Sequence, residues 1–271
     1  MDRVEAVLLP ALPPSGEGLR SQVRIRVALH VHSTLSHDGR HTFTELSEWF
    51  RARGFHAVAM GEHSQDMTPE KVQALVGGCA ANSTPDFCMI PGVEFTCAGE
   101  GLHVLGAGCT RLTPETDPVR VARHIRDSDG FAVLAHPKRQ NWQHAPELIR
   151  AVQAVEVWNI AYDGKYMPAP DAPHRYRAMR ATNAELLAIA SHDFHRKAGF
   201  YDMALEMDVD VISRATVLSN LRRGHYRVRS RWLSFDSRLS LSSAVGIWLQ
   251  VAGTQLKALR AARSLVWRWS Q

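Results

Sequence analysis

The densest run of reactive side chains is "ALHVHSTLSHDG", residues 28–39, which holds His30, His32, His37 and Asp38. Further candidates follow singly or in pairs: His63 in "GEHS", Glu94 in "PGVEFT", His103 in "LHVLG", His136 in "AHP", and Asp193 with His195 in "SHDFH". Imidazole nitrogens and carboxylate oxygens without thiolates suit zinc, manganese or iron, and a shared glutamate suits more than one ion. With only one of His37 and Asp38 counted, nine donors still exceed the needs of a single cation, so two or three divalent ions are expected as cofactors. Clustered divalent ions lower the pKa of bound water from 15.7 toward about 7 and clamp phosphoryl oxygens. That is the chemistry of phosphate-ester hydrolysis, and no Gly-x-Ser-x-Gly nucleophile signature competes for the role.

Residues this scattered need elements that end at one place. "VRIRVALHVH" alternates, putting Ile25, Val27, Leu29 and Val31 on one face and Ala28, His30 and His32 on the other. His30 and His32 therefore project together, and Asp193 and His195 repeat the same spacing. "TFTELSEWFRARG" reads as a helix with a threonine cap and Gly54 as its stop, and a second helix opens near Pro69. Short apolar runs then alternate with amphipathic stretches: "FCMIPGVEFT", "LHVLGAG", "FAVLAHP", "AVEVWN" and "LAIASHDFH" as strands, with helices in between. Such alternation predicts parallel βα units, and the absence of Gly-x-Gly-x-x-Gly favours a barrel over an open dinucleotide-binding sheet. The donors fall at strand C-terminal ends or just beyond, where barrel enzymes build their sites.

Bulk properties bound the reading. The 271 residues are 45% hydrophobic and 22% charged, which suits one large α/β domain. The net charge of +5 is unevenly placed. From Arg222 onward ten Lys or Arg face Asp236 alone, a net +9, while the other 221 residues carry 22 bases and 26 acids, a net −4. A surface built throughout for nucleic acid is thereby disfavoured. Cys79, Cys88, Cys97 and Cys109 lack C-x-x-C spacing and read as reduced thiols, with a disulfide as the lesser alternative. No signal peptide and no apolar run of about 18 residues is visible, so a cytoplasmic protein is expected. The expected organisation is a leader over residues 1–22, a metallohydrolase domain over 23–236 and a basic extension over 237–271.

The ordered series "HVHSTLSHDG", "GEHS", "PGVEFT", "LHVLG", "AHP" and "SHDFH" resembles the PHP (polymerase and histidinol phosphatase) superfamily across roughly residues 25–200. The resemblance implies a distorted seven-stranded βα barrel, TIM-like, with a trinuclear centre. Carried over by motif, His30, His32, Glu94 and Asp193 hold the first ion and carry catalysis. Asp38, His63 and His195 hold a second, and Glu94, His103 and His136 a third. His37 stands where relatives have the aspartate, so either His37 or Asp38 can be the ligand; Asp38 fits the Asp-Gly ending. Glu62 replaces the usual aspartate before His63 and is expected to orient its ring. The resemblance further implies a phosphoesterase acting on a small phosphorylated substrate. A nuclease or nucleotide phosphohydrolase with the same cage, or a carbamate or amide hydrolase, stand as alternatives. Lys138, Arg139 and Arg196 follow two donor motifs and are candidates for gripping phosphate oxygens.

The stretch from Ala244 carries Lys257, Arg260, Arg263 and Arg268 with no acid, apolar residues at roughly helical spacing, and Trp248, Trp267 and Trp269. Three readings stay open: a terminal helix packed on the barrel, a peripheral contact with an anionic membrane, or nucleic-acid docking helped by Arg227, Arg229 and Arg231.

Overall fold

The computed structural model describes residues 22–98 and 101–240. The leader and the basic extension fall almost wholly outside these residues. Among the described residues there are twelve strands and seven α-helices. In chain order they are β1 (Val23–Val31), α1 (Phe43–Arg51), β2 (Ala57–Met60), β3 (Glu62–His63), α2 (Pro69–Ala81), β4 (Cys88–Ile90), β5 (Gly92–Thr96) and β6 (His103–Ala107). Then follow α3 (Pro118–Asp127), β7 (Phe131–Ala135), α4 (Pro146–Ala151), β8 (Ala154–Asn159), α5 (Ile160–Asp163), α6 (Ala172–Thr182) and β9 (Leu187–Ser191). β10 (Met203–Val209), α7 (Arg214–Arg223), β11 (Arg227–Ser230) and β12 (Ser234–Asp236) complete the series.

The local signals behave as their chemistry dictates. Thr42 caps α1 in a reciprocal capping box with Glu45, and Thr68 caps α2 ahead of Pro69. Gly54 takes a positive φ of 72° just past α1. β2, β7, β8 and β9 are buried along their whole length, as strands with cover on both faces require.

The sheet arrangement corrects the expected single seven-stranded barrel. Strands form two six-stranded sheets, ordered β12-β11-β10-β1-β2-β4 and β3-β5-β6-β7-β8-β9, and neither closes. The chain crosses between them twice by interrupting a strand. Gly61 separates β2 from β3, and Pro91, which has no N–H for a ladder, separates β4 from β5. At the opposite margin the backbone just past β9 bonds to β1: His192 N donates to Leu29 O at 3.0 Å, and His32 N donates to Phe194 O at 2.9 Å. Nor is the pairing wholly parallel. β6 runs antiparallel to both β5 and β7, and β10 antiparallel to β1. β5 and β6 are joined without a helix, so β6 must reverse direction.

Candidate metal centre

The nine expected donors converge where the two sheets adjoin. His30 lies within β1 and His32 just beyond it; Asp38 is in the following loop; His63 ends β3; Glu94 is central in β5. His136 follows β7, and Asp193 and His195 follow β9. His103 opens β6 instead of ending it, and the antiparallel register, which sets it opposite Thr96, still brings it to the same rim. His30 and His32 do meet, with ring centroids 5.1 Å apart, though not by simple alternation. His30 has φ 65° and the β1–β2 register slips between Leu29 and Val31, so a bulge turns its ring inward. His136 and Asp193 also have positive φ, 30° and 47°. Three donors thus occupy a backbone region that non-glycine residues enter rarely, each at a cost of about 1–3 kcal/mol met by the surrounding packing.

Distances sort the donors into three overlapping groups: His32, Asp38, His63 and His195; His30, His32 and Glu94; and Glu94, His103 and His136, each with candidate atoms within 4.8 Å of one another. Glu94 is the hub. Its Oε1 lies 2.8 Å from His103 Nδ1, 2.9 Å from His136 Nε2 and 3.3 Å from His30 Nε2, and its Oε2 lies 2.9 Å from His63 Nδ1. Asp193 Oδ1 stands 3.5 Å from His32 Nε2 and 3.7 Å from His30 Nε2. Asp38 spans His63 Nε2 at 3.3 Å and His195 Nε2 at 3.1 Å.

Charge and burial act strongly here. Burial works against a charged His30, yet the Asp193, Glu94 and Glu156 carboxylates outweigh it and raise that ring well above its usual pKa. Burial pushes His32 down to about 4. Burial opposes ionisation of Glu94 and Asp193, but the histidines around them, His30 foremost, hold both below the usual carboxylate range.

The donor set fits divalent cations on a test independent of residue type. His30 Nε2, His32 Nε2, Asp38 Oδ1, His63 Nδ1, Glu94 Oε2 and His195 Nε2 are all buried and, although several stand 2.9–3.3 Å from another donor, none makes a well-aligned hydrogen bond. Buried polar atoms are nearly always paired, and six orphans aimed at a common space are the arrangement that coordinated cations satisfy.

Between the candidates for the loop ligand, geometry favours Asp38. His37 turns away, its backbone N and ring Nδ1 both bonded to Asp66 Oδ2, with 60% of its side chain exposed. Glu62 does not orient the His63 ring. It accepts from Ser33 N at 3.0 Å and from Ser36 Oγ at 2.6 Å, and Ser36 Oγ accepts from His63 N at 3.1 Å. The longer glutamate therefore fastens the 33–36 loop that carries the chain from His32 to Asp38. Gly39 closes that loop: a Cβ there would sit 1.9 Å from Ser33 O. His192 points elsewhere, stacked on Phe200 and edge-on to Phe50 and Phe55, and burial pushes it down to about 4.

Sequence reasoning missed Glu156, Asn159 and Tyr162. Glu156 Oε1 accepts from His30 Nδ1 at 2.9 Å, while Oε2 accepts from His136 N at 2.7 Å and Asn159 Nδ2 at 2.8 Å. Asn159 Nδ2 also reaches Asp193 Oδ2 at 3.3 Å. The signal was present in "AVEVWN": a lone acid inside a fully apolar, fully buried strand needs a partner. Tyr162 packs 4.9 Å from the His136 ring with the Arg139 guanidinium 5.2 Å above its own ring.

Two cavities open on the donors. One of about 210 Å³ is lined by His63, Glu94, His103, His136, Arg139 and Tyr162 among others; the other, about 550 Å³, is lined by Asp38, Arg40, Tyr162, Lys165, Asp193 and Arg196 among others. Lys138 lines neither, being held by Asp163 Oδ1 at 3.4 Å and Tyr162 O at 3.1 Å. All four cysteines are buried free thiols, and burial pushes Cys97 up to about 12. No helix among the described residues is long and apolar enough to cross a membrane.

Fold and site together define a mixed α/β protein with a buried histidine–carboxylate centre. No family model matches the sequence, and no curated protein matches it. Solved structures do. A two-domain protein from Bacteroides vulgatus containing a predicted PHP-like metal-dependent phosphoesterase aligns over 87% of this chain and 71% of its own, at TM-score 0.57 and 16% identity. The fold is therefore PHP-like. Looser matches are a provisionally assigned metal-dependent phosphoesterase from Bifidobacterium adolescentis (TM-score 0.47, 17% identity, 63% of this chain and 88% of that one) and an amidohydrolase from Chromobacterium violaceum with sulfate bound and no metal (0.45, 18%, 62% and 87%).

Proposed function

We propose that this chain is a metal-dependent phosphoesterase that hydrolyses a small phosphomonoester, with residues 23–236 as the catalytic unit. The observation that carries the reading is the set of six buried nitrogen and oxygen atoms of the donor cluster that make no well-aligned hydrogen bond. His30, His32, Glu94 and Asp193 would hold one cation, Asp38, His63 and His195 a second, and Glu94, His103 and His136 a third. His32 falls in two of the observed groups, which makes it the donor that would tie the first two positions together. Bound divalent cations would polarise phosphoryl oxygens and acidify water.

The remaining work falls to the chain. Glu156 accepts the His30 Nδ1 proton and so fixes which ring nitrogen faces Glu94. Asn159 holds Glu156 and Asp193 in fixed relation. Arg139, steadied over the Tyr162 ring, faces the smaller cavity beside the donors, where its planar fork suits non-bridging phosphate oxygens.

The test is direct. Protein purified without chelator, or reloaded with Zn, Mn or Fe, is assayed for bound metal by elemental analysis. It is then screened against phosphomonoesters, oligonucleotides and aryl carbamates, with Asp193→Ala as blank. Two to three equivalents of metal and preferential phosphomonoester turnover are expected. Preferential cleavage of oligonucleotides, or of carbamates, would replace this substrate assignment, and failure to bind metal after reloading would remove the hydrolase reading.

A further inference from the structure

We propose that the larger cavity is a second anion subsite, so that the preferred substrate is a phosphomonoester whose leaving group itself carries an anionic group. This rests on the phosphoesterase reading and adds to it the chemistry of the other end of the substrate.

The cavity of about 550 Å³ is lined by the donors Asp38, Asp193 and His195 and by Arg40, Lys165 and Arg196, while Arg139 lines only the smaller one. Its volume is that of a small-ligand site, more than twice the 210 Å³ over the donors. Its lining contains three cations and no acid apart from the two donor carboxylates. Asp38 and Asp193 are already engaged by histidines, Asp38 at 3.1–3.3 Å and Asp193 at 3.5–3.7 Å.

The cations are not held by protein carboxylates. Among the described residues neither Arg40 nor Arg196 has a side-chain hydrogen bond or an ion pair, unlike Arg24, Arg26, Arg51 and Arg238, which all have acidic partners. Lys165 Nζ donates once, to Ala198 O at 2.7 Å, and keeps donors in hand. Arg40 is fixed at the backbone, its N donating to His195 O at 3.0 Å, so its position is tied to that of a donor residue. A one-sided cleft lined with unpaired cations concentrates field and selects anions. The aromatic wall of Tyr162, shared by both cavities, marks where phosphoryl and leaving group divide.

The experiment compares benzyl phosphate with 4-carboxybenzyl phosphate on metal-loaded full-length protein. The two esters differ in the remote carboxylate and hardly at all at the reacting centre. A preference in kcat/KM of at least about tenfold for the carboxylated ester is expected, from one charge-assisted hydrogen bond. Arg40→Met and Arg196→Met are each expected to lower that preference and the double variant to abolish it, with Arg40→Lys restoring part of the Arg40→Met loss. Equal kcat/KM for the two esters, or a preference that survives both methionine variants, overturns the subsite while leaving the phosphoesterase reading intact. Turnover of neither ester by metal-loaded protein overturns the phosphoesterase reading and the subsite with it.

Discussion

Replacing Glu156 by glutamine keeps shape and removes only charge and one acceptor, so its consequences follow from the three donors around it. One carboxylate oxygen takes the His30 Nδ1 proton; the other takes two N–H groups, from the His136 backbone and the Asn159 amide. A glutamine can satisfy only one side. With its oxygen toward His136 and Asn159, its NH₂ faces His30 Nδ1, which must become an acceptor; His30 Nε2 then carries the proton and points it at Glu94, where a lone pair is needed. With its oxygen toward His30, two buried N–H groups meet an NH₂. The second arrangement strands two buried N–H groups at about 1–3 kcal/mol each; the first keeps its groups paired but gives up the charge-assisted His30–Glu156 bond and the Nε2 lone pair that a cation needs. The expected loss is about 3 kcal/mol, or roughly 6–12 °C in Tm for a domain of this size. Removing such a histidine-orienting carboxylate lowers metal affinity about 10- to 100-fold. Calorimetric metal titration and a thermal melt of the metal-free protein measure the two effects separately. If Glu156→Gln binds metal with unchanged affinity and melts within 2 °C of the parent, the account of Glu156 is wrong.

Other outcomes follow from the same geometry. Gly39→Ala forces a Cβ to 1.9 Å from Ser33 O, which backbone cannot yield cheaply; a loss above about 4 kcal/mol, or no soluble protein, is expected in urea unfolding. Ser36→Ala strips Glu62 Oε2 of its donor and His63 N of its acceptor, and should cost about 2–3 kcal/mol with weakened metal binding, read by melting and titration. His56 Nδ1 accepts from Arg26 N, and burial with the nearby Arg26 charge lowers its pKa below 6.5. The unfolded chain therefore takes up this proton first, and stability falls as pH drops below about 6.5. His56→Asn should flatten that limb by less than about 1 kcal/mol, since the ring is only partly buried and solvent screens the rest.

How far the sequence discloses the site depends on what kind of constraint placed each residue. The donors are visible because histidines and acids at the ends of apolar runs are chemically conspicuous, and Asp38 is separable from His37 once the Asp66 pairing is seen. The i, i+2 spacing of His30 and His32 led to the right neighbours by an incomplete argument, because the positive φ at His30 leaves no trace in hydrophobic alternation. Glu156 was hidden for a different reason. A strand reading of "AVEVWN" accounts for the apolar residues, but only the three-dimensional position of His30 shows what the acid is for. The split into two open sheets turns on Gly61 and Pro91 and on which strands pair across the chain, and local pattern does not encode long-range pairing. The antiparallel insertion of β6 similarly shows only as a missing helix between "FCMIPGVEFT" and "LHVLGAG".

The pairing of β10 with β1, from Val23 opposite Val209 to Val27 opposite Leu205, has a consequence for where the molecule can be cut. The last donor motif ends near residue 195, and a fragment stopping there would contain every candidate donor side chain. It would also strip the flank from the strand that presents His30, leaving a row of bare N–H and C=O groups on an apolar ribbon, an invitation to self-association. The smallest piece able to present the candidate donors as a monomer is thus set by a strand that carries none of them.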